Sequence, residues 1–334
     1  MTIRERMEQE EFTLLSPLAQ KAAETKGRLY PEDSNDVRTC YQRDADRIVH
    51  SKSFRRLMHK TQVFLSPEGD HYRTRMTHTL EVSRIARTIC RGLRLNQDLA
   101  EAAAYGHDLG HTPFGHAGEA ALTDVTGKPF RHNEQSLRLV NKLERGGIGL
   151  NLTYEVRMGI LGHTGEFIPE TLEGQIVRTS DRIAYINHDI DDAMRAGILT
   201  EDDIPREISD VLGHSHSARI NTLVEDMIYH TAETGTLSMR PEVAAAMDHL
   251  RQFMFAHVYT NPVAKGEEIK AKDIIRRLYE YYTAHPDKLP ADFLPQLDFD
   301  GMSRIVCDYI AGMTDKYAMY KYSEIFIPTA WQVR

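Results

Sequence analysis

Hydrophobic residues recur along most of this chain with the period of an α-helix. In one clear stretch Val82, Ile85, Ile89 and Leu93 share a face with His78, because residues three, four and seven positions apart lie on the same side of a helix. The pattern therefore predicts a helix that carries a histidine at its start, on the apolar side.

The next segment predicts a second helix. Asp98 is a good N-cap residue, an apolar stripe runs from Leu99 to His107, and Gly110 and Pro113 end the helix. This helix would place a second histidine at its C-terminal end.

Later segments follow the same period. A helix is predicted from Leu172 to Ala196 with Gly197 as its stop, and another begins at Pro241. Strand-like alternation is nearly absent, and its best case is the run at residues 61–65. We therefore predict an all-α fold.

Composition adds limits on the class of protein. A chain of 334 residues can bury a large core without disulfides. Its net charge of −8 disfavours a nucleic-acid or membrane binder acting over the whole surface, although a local basic patch is compatible with it. Cys40, Cys90 and Cys307 lie far apart, which predicts reduced thiols in a cytoplasmic protein. The charged N-terminus and the lack of a long apolar run predict neither a signal peptide nor a membrane span.

The candidate chemistry lies in an uneven distribution of the 16 histidines. The segment GHDLGHTPFGHAGE combines histidines with carboxylates just beyond a helix end. Imidazole nitrogens and carboxylate oxygens from rigid elements are suited to a divalent cation. Four such groups come from three predicted helices: His78, His107, Asp108 and Asp181. Satisfied core or cap residues are the alternative reading, but the four together favour a metal site.

At this point the sequence resembles a known family. The order H…HD…D is the signature of the HD superfamily, and the surrounding sequence segments resemble those of its dGTP triphosphohydrolase branch. These segments are FRRLMHKTQVF, RTRMTHTLEV, AYGHDLGHTPFGHAGE, RTSDRIAYINHD and CDYIAGMTDKYA. The resemblance spans most of the chain, from about Val37 to about Tyr320.

The resemblance implies a metal-dependent hydrolase that converts a deoxynucleoside triphosphate, dGTP or another dNTP, to the deoxynucleoside and inorganic triphosphate. It implies an HD-domain helical bundle with additional C-terminal helices. We expect a lead-in at residues 1–36, the HD phosphohydrolase core at 37–240, and a C-terminal helical region packed on the core at 241–334. The expected cofactor is one divalent ion per site, Mg²⁺ or Mn²⁺ for activity, with Zn²⁺, Ni²⁺ and Fe²⁺ as further candidates.

The resemblance also implies residue roles. His116 and Glu119 are three residues apart and could face each other on a helical turn; by similarity they form the proton-transfer pair, as general acid or as general base. Capping by Glu119 with a structural histidine is the alternative. The resemblance also implies substrate contacts. Donors for the phosphates are Arg75, His111, His132 and Arg182, and the residues near the base are Gln62 and Val63. Tyr185 and Asp189 would meet the sugar, where the Tyr185 ring would reject a 2′-hydroxyl.

Other functions stay open at this stage. The same metal set would serve an HD nucleotidase or phosphodiesterase acting on another nucleotide. A nucleotide- or single-stranded-DNA-responsive binding protein is the third hypothesis, and it depends on a run of cations that more often forms a solvated helix face: Arg38, Arg43, Arg47, Arg55, Arg56 and Lys60. The family further implies a homo-oligomer and an allosteric nucleotide, and no membrane partner is expected.

Overall fold

The computed structural model describes residues 1–32, 36–62, 73–259 and 262–329. The fold is all-α, as predicted, and within these residues no strand occurs. The first ten α-helices are α1 (Ile3–Leu14), α2 (Cys40–Val49), α3 (Lys52–Arg56), α4 (Arg75–Gly92), α5 (Gln97–Gly106), α6 (Gly115–Thr126), α7 (His132–Arg138), α8 (Glu144–Gly147), α9 (Tyr154–Gly162) and α10 (Leu172–Arg195).

The remaining α-helices are α11 (Arg206–Leu212), α12 (His216–Thr234), α13 (Pro241–Met254), α14 (Pro262–Ala284), α15 (Leu297–Asp300), α16 (Met302–Ala311) and α17 (Asp315–Phe326). Two π-helical segments follow α7 and α13, at Leu139–Leu143 and Phe255–Tyr259. No helix in the described ranges has the length and apolar character that a membrane crossing requires.

Helices α4, α5 and α10 form the centre of the fold. Each packs against the other two, and α2 and α9 cover α5. The apolar stripe of α4 is buried there, with Val82 and Ile89 fully inaccessible, which explains why the period of this segment predicted its helix. The three central helices therefore bring their polar residues to one end of the same core.

Local details differ from the predicted boundaries. The prediction of Asp98 as the N-cap of α5 is wrong, because the side chain of Asn96 accepts hydrogen bonds from the backbone N–H groups of Asp98 and Leu99. The helix ends at Gly106, so that His107 is its C-cap residue. Thr61 forms only an isolated antiparallel bridge with Thr74, and residues 63–65 of the strand-like run lie outside the described residues.

The C-terminal helices share a second apolar core with α6. Phe114 and Leu122 are buried together with Ile275 and Ile310. Two polar anchors strengthen this contact. The fully buried Lys60 donates to the carbonyls of His111 and Ala311, and Asp315 accepts from the backbone N–H groups of Thr61 and Phe114, at 3.0 and 2.9 Å. The loop between α5 and α6 is thus attached to the C-terminal helices.

Candidate active site and metal centre

The structure brings together four residues that the sequence assigns to a metal, which we call the primary metal set: His78 on α4, His107 and Asp108 after α5, and Asp181 on α10. Asp181 Oδ1 lies 3.0 Å from His78 Nε2 and 3.8 Å from His107 Nε2. Asp108 Oδ1 lies 3.6 Å from His107 Nε2. The ligand atoms of His78, His107 and Asp108 all lie within 4.8 Å of one another, and Asp181 faces both imidazoles.

Hydrogen bonds orient both imidazoles of the primary metal set. His107 Nδ1 donates to the Ala104 carbonyl at 2.6 Å, and its buried Nε2 has no hydrogen-bond partner in the described part of the chain. His78 Nδ1 lies 3.4 Å from Nδ1 of His188, whose Nε2 lies 2.6 Å from the carboxylate of Glu81. Both Nε2 lone pairs can therefore face the aspartates.

This arrangement fits a divalent cation. His78 Nε2 and Asp181 Oδ1, 3.0 Å apart, need either a proton or a cation between them, because a ring lone pair and a carboxylate repel each other. Metal-bound histidines usually donate their other ring N–H to a carbonyl or a carboxylate. Burial disfavours the ionised form of Asp181, but the hydrogen bond with His78 and the nearby imidazoles outweigh it and lower the pKa of this carboxyl to about 2. A metal binds an ionised carboxylate and a neutral ring, so that a bound cation would take the place of the proton between His78 and Asp181.

Arg75 is buried in the site and donates from a guanidinium nitrogen to Asp108 Oδ2 at 2.7 Å. This contact leaves Asp108 Oδ1 to face the imidazoles of His107 and His111, each at 3.6 Å. The pKa of Asp108 lies well below its usual value, because the neighbouring imidazoles and Arg75 outweigh the effect of burial. Arg75 therefore lies beside the primary metal set and contacts a carboxylate, and its role as a phosphate donor stays a prediction.

The predicted proton-transfer pair is formed next to this centre. His116 Nδ1 lies 3.1 Å from Glu119 Oε2, and the His116 side chain is 79% exposed. Glu119 also accepts from the backbone N–H of His132 at 2.9 Å and faces His132 Nδ1 at 3.2 Å. One carboxylate therefore holds two imidazoles. Burial tends to raise the pKa of Glu119, but these contacts outweigh it and lower the pKa.

A row of further histidines connects this pair to the metal centre. The rings of His111 and His132 stack at 4.0 Å with an angle of 14°. His132 Nε2 lies 3.2 Å from His163 Nε2, while His163 Nδ1 donates to the Ile160 carbonyl at 2.7 Å. Burial lowers the pKa of His163 to about 3. Burial also opposes protonation of His132, but Glu119 outweighs it and raises the pKa of that ring.

The predicted sugar and base contacts lie on α10 and before α4. Tyr185 is partly buried and Arg182 is exposed. Asp189 is buried and accepts a hydrogen bond from the Tyr259 hydroxyl, and burial raises the pKa of Asp189 to about 7. Gln62 is partly buried, with its side-chain oxygen unpaired within the described residues. Val63 lies outside the described residues.

The run of cations from the binding-protein hypothesis does not form one open surface. Arg38, Arg43 and Arg47 line a surface cavity of about 240 Å³, and they are paired with acidic residues, as in the 2.9 Å contact of Arg43 with Glu32. Lys60 belongs to neither an open ligand site nor a solvated face, because its side chain is buried and its Nζ donates to two carbonyls. Arg38, Arg43 and Arg47 are therefore engaged in ion pairs with neighbouring acidic residues.

Four residues near the site were not identified from the sequence: Glu81, His163, His188 and Tyr259. His163 is 31 residues from His132, and Tyr259 is 70 residues from Asp189. Glu81 and His188 each lie on a helix that carries a residue of the primary metal set, three residues after His78 and seven after Asp181. Helical spacing could have suggested these two, whereas no local signal pointed to His163 or Tyr259.

Two family models and several known proteins match this chain. The model of the HD domain matches residues 75–186, which contain the primary metal set and the His116–Glu119 pair, and that of the phosphohydrolase-associated domain matches residues 237–324. The chain is 55% identical over 331 residues to the deoxyguanosinetriphosphate triphosphohydrolase-like protein of Caldanaerobacter subterraneus subsp. tengcongensis, covering 99% of this chain and 98% of the relative. It is 48% identical over 348 residues to the protein of the same description from Desulfatibacillum aliphaticivorans, covering 98% and 99%.

Proposed function

The chain belongs to the HD-domain phosphohydrolases and, within them, to the deoxyguanosinetriphosphate triphosphohydrolase-like proteins, and from that premise we propose that it hydrolyses dGTP or another dNTP to the deoxynucleoside and inorganic triphosphate. The observation that carries the proposal is the position of the primary metal set beside an imidazole–carboxylate pair. Phosphate ester hydrolysis needs both a Lewis acid and a group that moves a proton.

We assign the primary metal set as ligands of a divalent ion, with Mg²⁺ or Mn²⁺ as the activating ions. When bound, such an ion polarises a phosphate oxygen and lowers the pKa of water. The chain supplies the remaining functions. Arg75 holds Asp108 by its Oδ2, which fixes this carboxylate and keeps a buried cation near the place where phosphate charge would lie.

The His116–Glu119 pair is assigned to proton transfer. Its carboxylate fixes the orientation of the His116 ring through their 3.1 Å contact. Because His116 is exposed and lies at 5.3 Å from the His111 ring, its imidazole can exchange protons with solvent between turnovers. The 5′-oxygen of the nucleoside is a poor leaving group as an alkoxide, so that protonation of this oxygen would accelerate the reaction.

We propose that the sugar binds at the far end of the same α10 face. Asp189 and Tyr185 lie eight and four residues after the metal ligand Asp181, and Tyr259 covers Asp189 from another segment. A carboxylate suits a sugar hydroxyl, and the crowding of two rings disfavours an additional 2′-hydroxyl. A preference for deoxyribonucleotides follows.

The decisive experiment incubates the protein with each dNTP and the matching ribonucleotides, in Mg²⁺ and in Mn²⁺, and separates the products. Release of triphosphate and nucleoside supports the proposal. Release of orthophosphate, or opening of a cyclic or linear diester with no action on dNTPs, would instead identify the nucleotidase or phosphodiesterase activity. Comparable specificity constants for dGTP and GTP would contradict the sugar assignment.

We further propose a cytoplasmic homo-oligomer that responds to an allosteric nucleotide. The free state of Cys40, Cys90 and Cys307 supports a reducing compartment. Sedimentation with and without added dNTPs tests the assembly. Single-stranded DNA is a weaker candidate partner, and a steep salt dependence of binding would be its mark.

A further inference from the structure

The backbone turns sharply just before the His116–Glu119 pair. Phe114 has φ 63° and ψ 23°, a left-handed conformation that residues other than glycine rarely adopt. Phe114 is also the N-cap residue of α6, and its side chain makes no capping hydrogen bond. His116 is the second residue of that helix. The conformation of Phe114 therefore sets the direction in which α6 leaves the loop, and with it the position of His116.

A residue from the C-terminal helices holds the backbone of Phe114. Asp315 Oδ1 accepts a hydrogen bond from the Phe114 N–H at 2.9 Å. Asp315 Oδ2 accepts from the backbone N–H and from the hydroxyl of Thr61, at 3.0 and 2.7 Å. Asp315 is buried, as is the turn that it contacts. Because a buried N–H group needs a partner, this carboxylate stabilises the unusual conformation of Phe114.

The contacts of Asp315 lie outside its own helix. Asp315 is the first residue of α17, and an aspartate near a helix start often accepts from the free N–H groups of that helix. Here Thr314 has this role, because its side chain accepts from the backbone N–H of Tyr317 at 3.2 Å. The Asp315 carboxylate therefore acts on the loop before α6 and not on the helix that carries it.

A second contact fixes the other end of the same turn. Lys60 is buried and donates to the carbonyls of His111 and Ala311. The backbone N–H of His111 donates to the Asp108 carbonyl at 3.1 Å, so that the turn begins close to the primary metal set. Residues 111–114 are thus held at both ends against the C-terminal helices.

The turn also lies in direct contact with the start of α6. The Thr112 hydroxyl donates to the Gly115 carbonyl at 2.8 Å. A Cβ atom at Gly118 would overlap the Pro113 carbonyl oxygen, so that the backbone of the turn touches the first turn of α6. Because close-packed backbones leave no space to absorb a shift, a movement of the turn must also move His116.

We propose that Asp315 is a positioning residue for the reaction: by holding the Phe114 N–H, it places His116 relative to the primary metal set and the bound substrate. The inference rests on the proposed function, in which His116 transfers a proton. A displacement of about 1 Å at a reacting group can lower the rate by about 10²-fold. A contact made by the C-terminal helices, outside the reacting groups, therefore completes the active site.

The test compares Asp315→Asn with a matched control in single-turnover hydrolysis of dGTP. An asparagine presents an amide donor to one of the two segments, so that Phe114 or Thr61 loses its acceptor. We expect the maximal rate to fall by about tenfold or more, with KM within about twofold of the wild type. The control is Asp226→Asn, because Asp226 is buried and accepts from the backbone N–H of Arg240 at 2.8 Å, outside the site. It should lower the melting temperature and keep the rate.

A double mutant separates positioning from a general loss of structure. If Asp315 acts through His116, adding Asp315→Asn to His116→Ala should change the rate by less than about twofold, because residues that act as a unit are not additive. Effects that multiply in the double mutant would refute the proposal, and so would a wild-type rate in Asp315→Asn. If that variant does not fold, Thr61→Val replaces it, because it removes one donor to the same carboxylate.

A readout without substrate covers the case in which the proposed function fails. In magnetic resonance spectra of isotope-labelled histidine rings, the His116 signal is assigned through its loss in His116→Ala. This signal should shift in Asp315→Asn and in Thr61→Val, and it should stay in place in Asp226→Asn. A wild-type protein that releases no nucleoside from any dNTP removes the proposed function, while the ring spectra still decide whether Asp315 positions His116. An unchanged His116 signal in Asp315→Asn overturns the inference in either case.

Discussion

Replacement of His116 by alanine separates catalysis from stability more sharply than any other change at this site. The His116 side chain is 79% exposed and is held by a 3.1 Å contact with Glu119. Its ring lies outside the primary metal set and is not part of the buried core. The substitution should therefore remove a reacting group without disturbing the ligands or the packing.

The two expected effects differ in size. An exposed ion pair stabilises a protein by about 0–1 kcal/mol, so that the free energy of unfolding should change by no more than that. Loss of a general acid or base lowers the rate by about 10²-fold or more, which corresponds to about 2.7 kcal/mol in the activation barrier. The increase in the activation free energy should therefore exceed the change in the free energy of unfolding severalfold.

The assay measures single-turnover hydrolysis of dGTP, together with metal content and melting temperature. His214→Ala is the matched control, because that histidine is also exposed and pairs with a carboxylate, Asp210, at 3.2 Å, but lies outside the site. A His116→Ala protein with wild-type rate would show that the proton is handled elsewhere, with His111 or His132 next in line. A melting temperature that falls along with the rate would indicate a structural role.

Three further changes test other parts of the structure. Asp181→Ala removes the carboxylate that faces both imidazoles of the primary metal set, and it should lose that ion and turnover; a metal analysis at the wild-type level would contradict the assignment. Tyr185→Ala should narrow the ratio of specificity constants for dGTP over GTP by about tenfold, the order expected from one lost packing contact, and an unchanged ratio would exclude the ring as the sugar filter. Burial raises the pKa of Glu173 from 4.5 to about 7; the folded state then holds this proton more tightly than the unfolded state, so that stability is lost as pH rises from about 4.5 through 7. Glu173→Gln should remove this loss of unfolding free energy, which is up to about 3 kcal/mol in the wild type. The free energy of urea unfolding is measured at pH 5 and at pH 8 for both proteins. If the variant loses as much stability between these pH values as the wild type does, the reasoning is refuted.

The fold was predictable where a single periodic stripe decides an element. Helices α4 and α10 bury long stripes, and their positions followed from the apolar period. The N-cap of α5 was placed two residues too late, because Asn96 and Asp98 are both good capping residues and only the backbone path decides between them.

The candidate site was predictable in its residue types but not in its contacts. Residues of the primary metal set are separated by up to 103 positions, and only the motif order indicated that they meet. His163 follows α9 in a separate segment, and its approach to His132 depends on the packing of α7 against α9. The burial of Lys60 was missed for a similar reason, since an isolated cation in a basic run usually faces solvent.

The anchoring of the loop between α5 and α6 by Lys60 and Asp315 bears on how the chain unfolds. If the C-terminal helices detached, the buried Lys60 side chain would lose its hydrogen bond to the Ala311 carbonyl. Loss of the partner of a buried charge destabilises a fold by several kcal/mol. The predicted regions 37–240 and 241–334 are therefore expected to melt together in a single cooperative transition. The histidines of the loop would then lose their order in the same step in which the last helices separate.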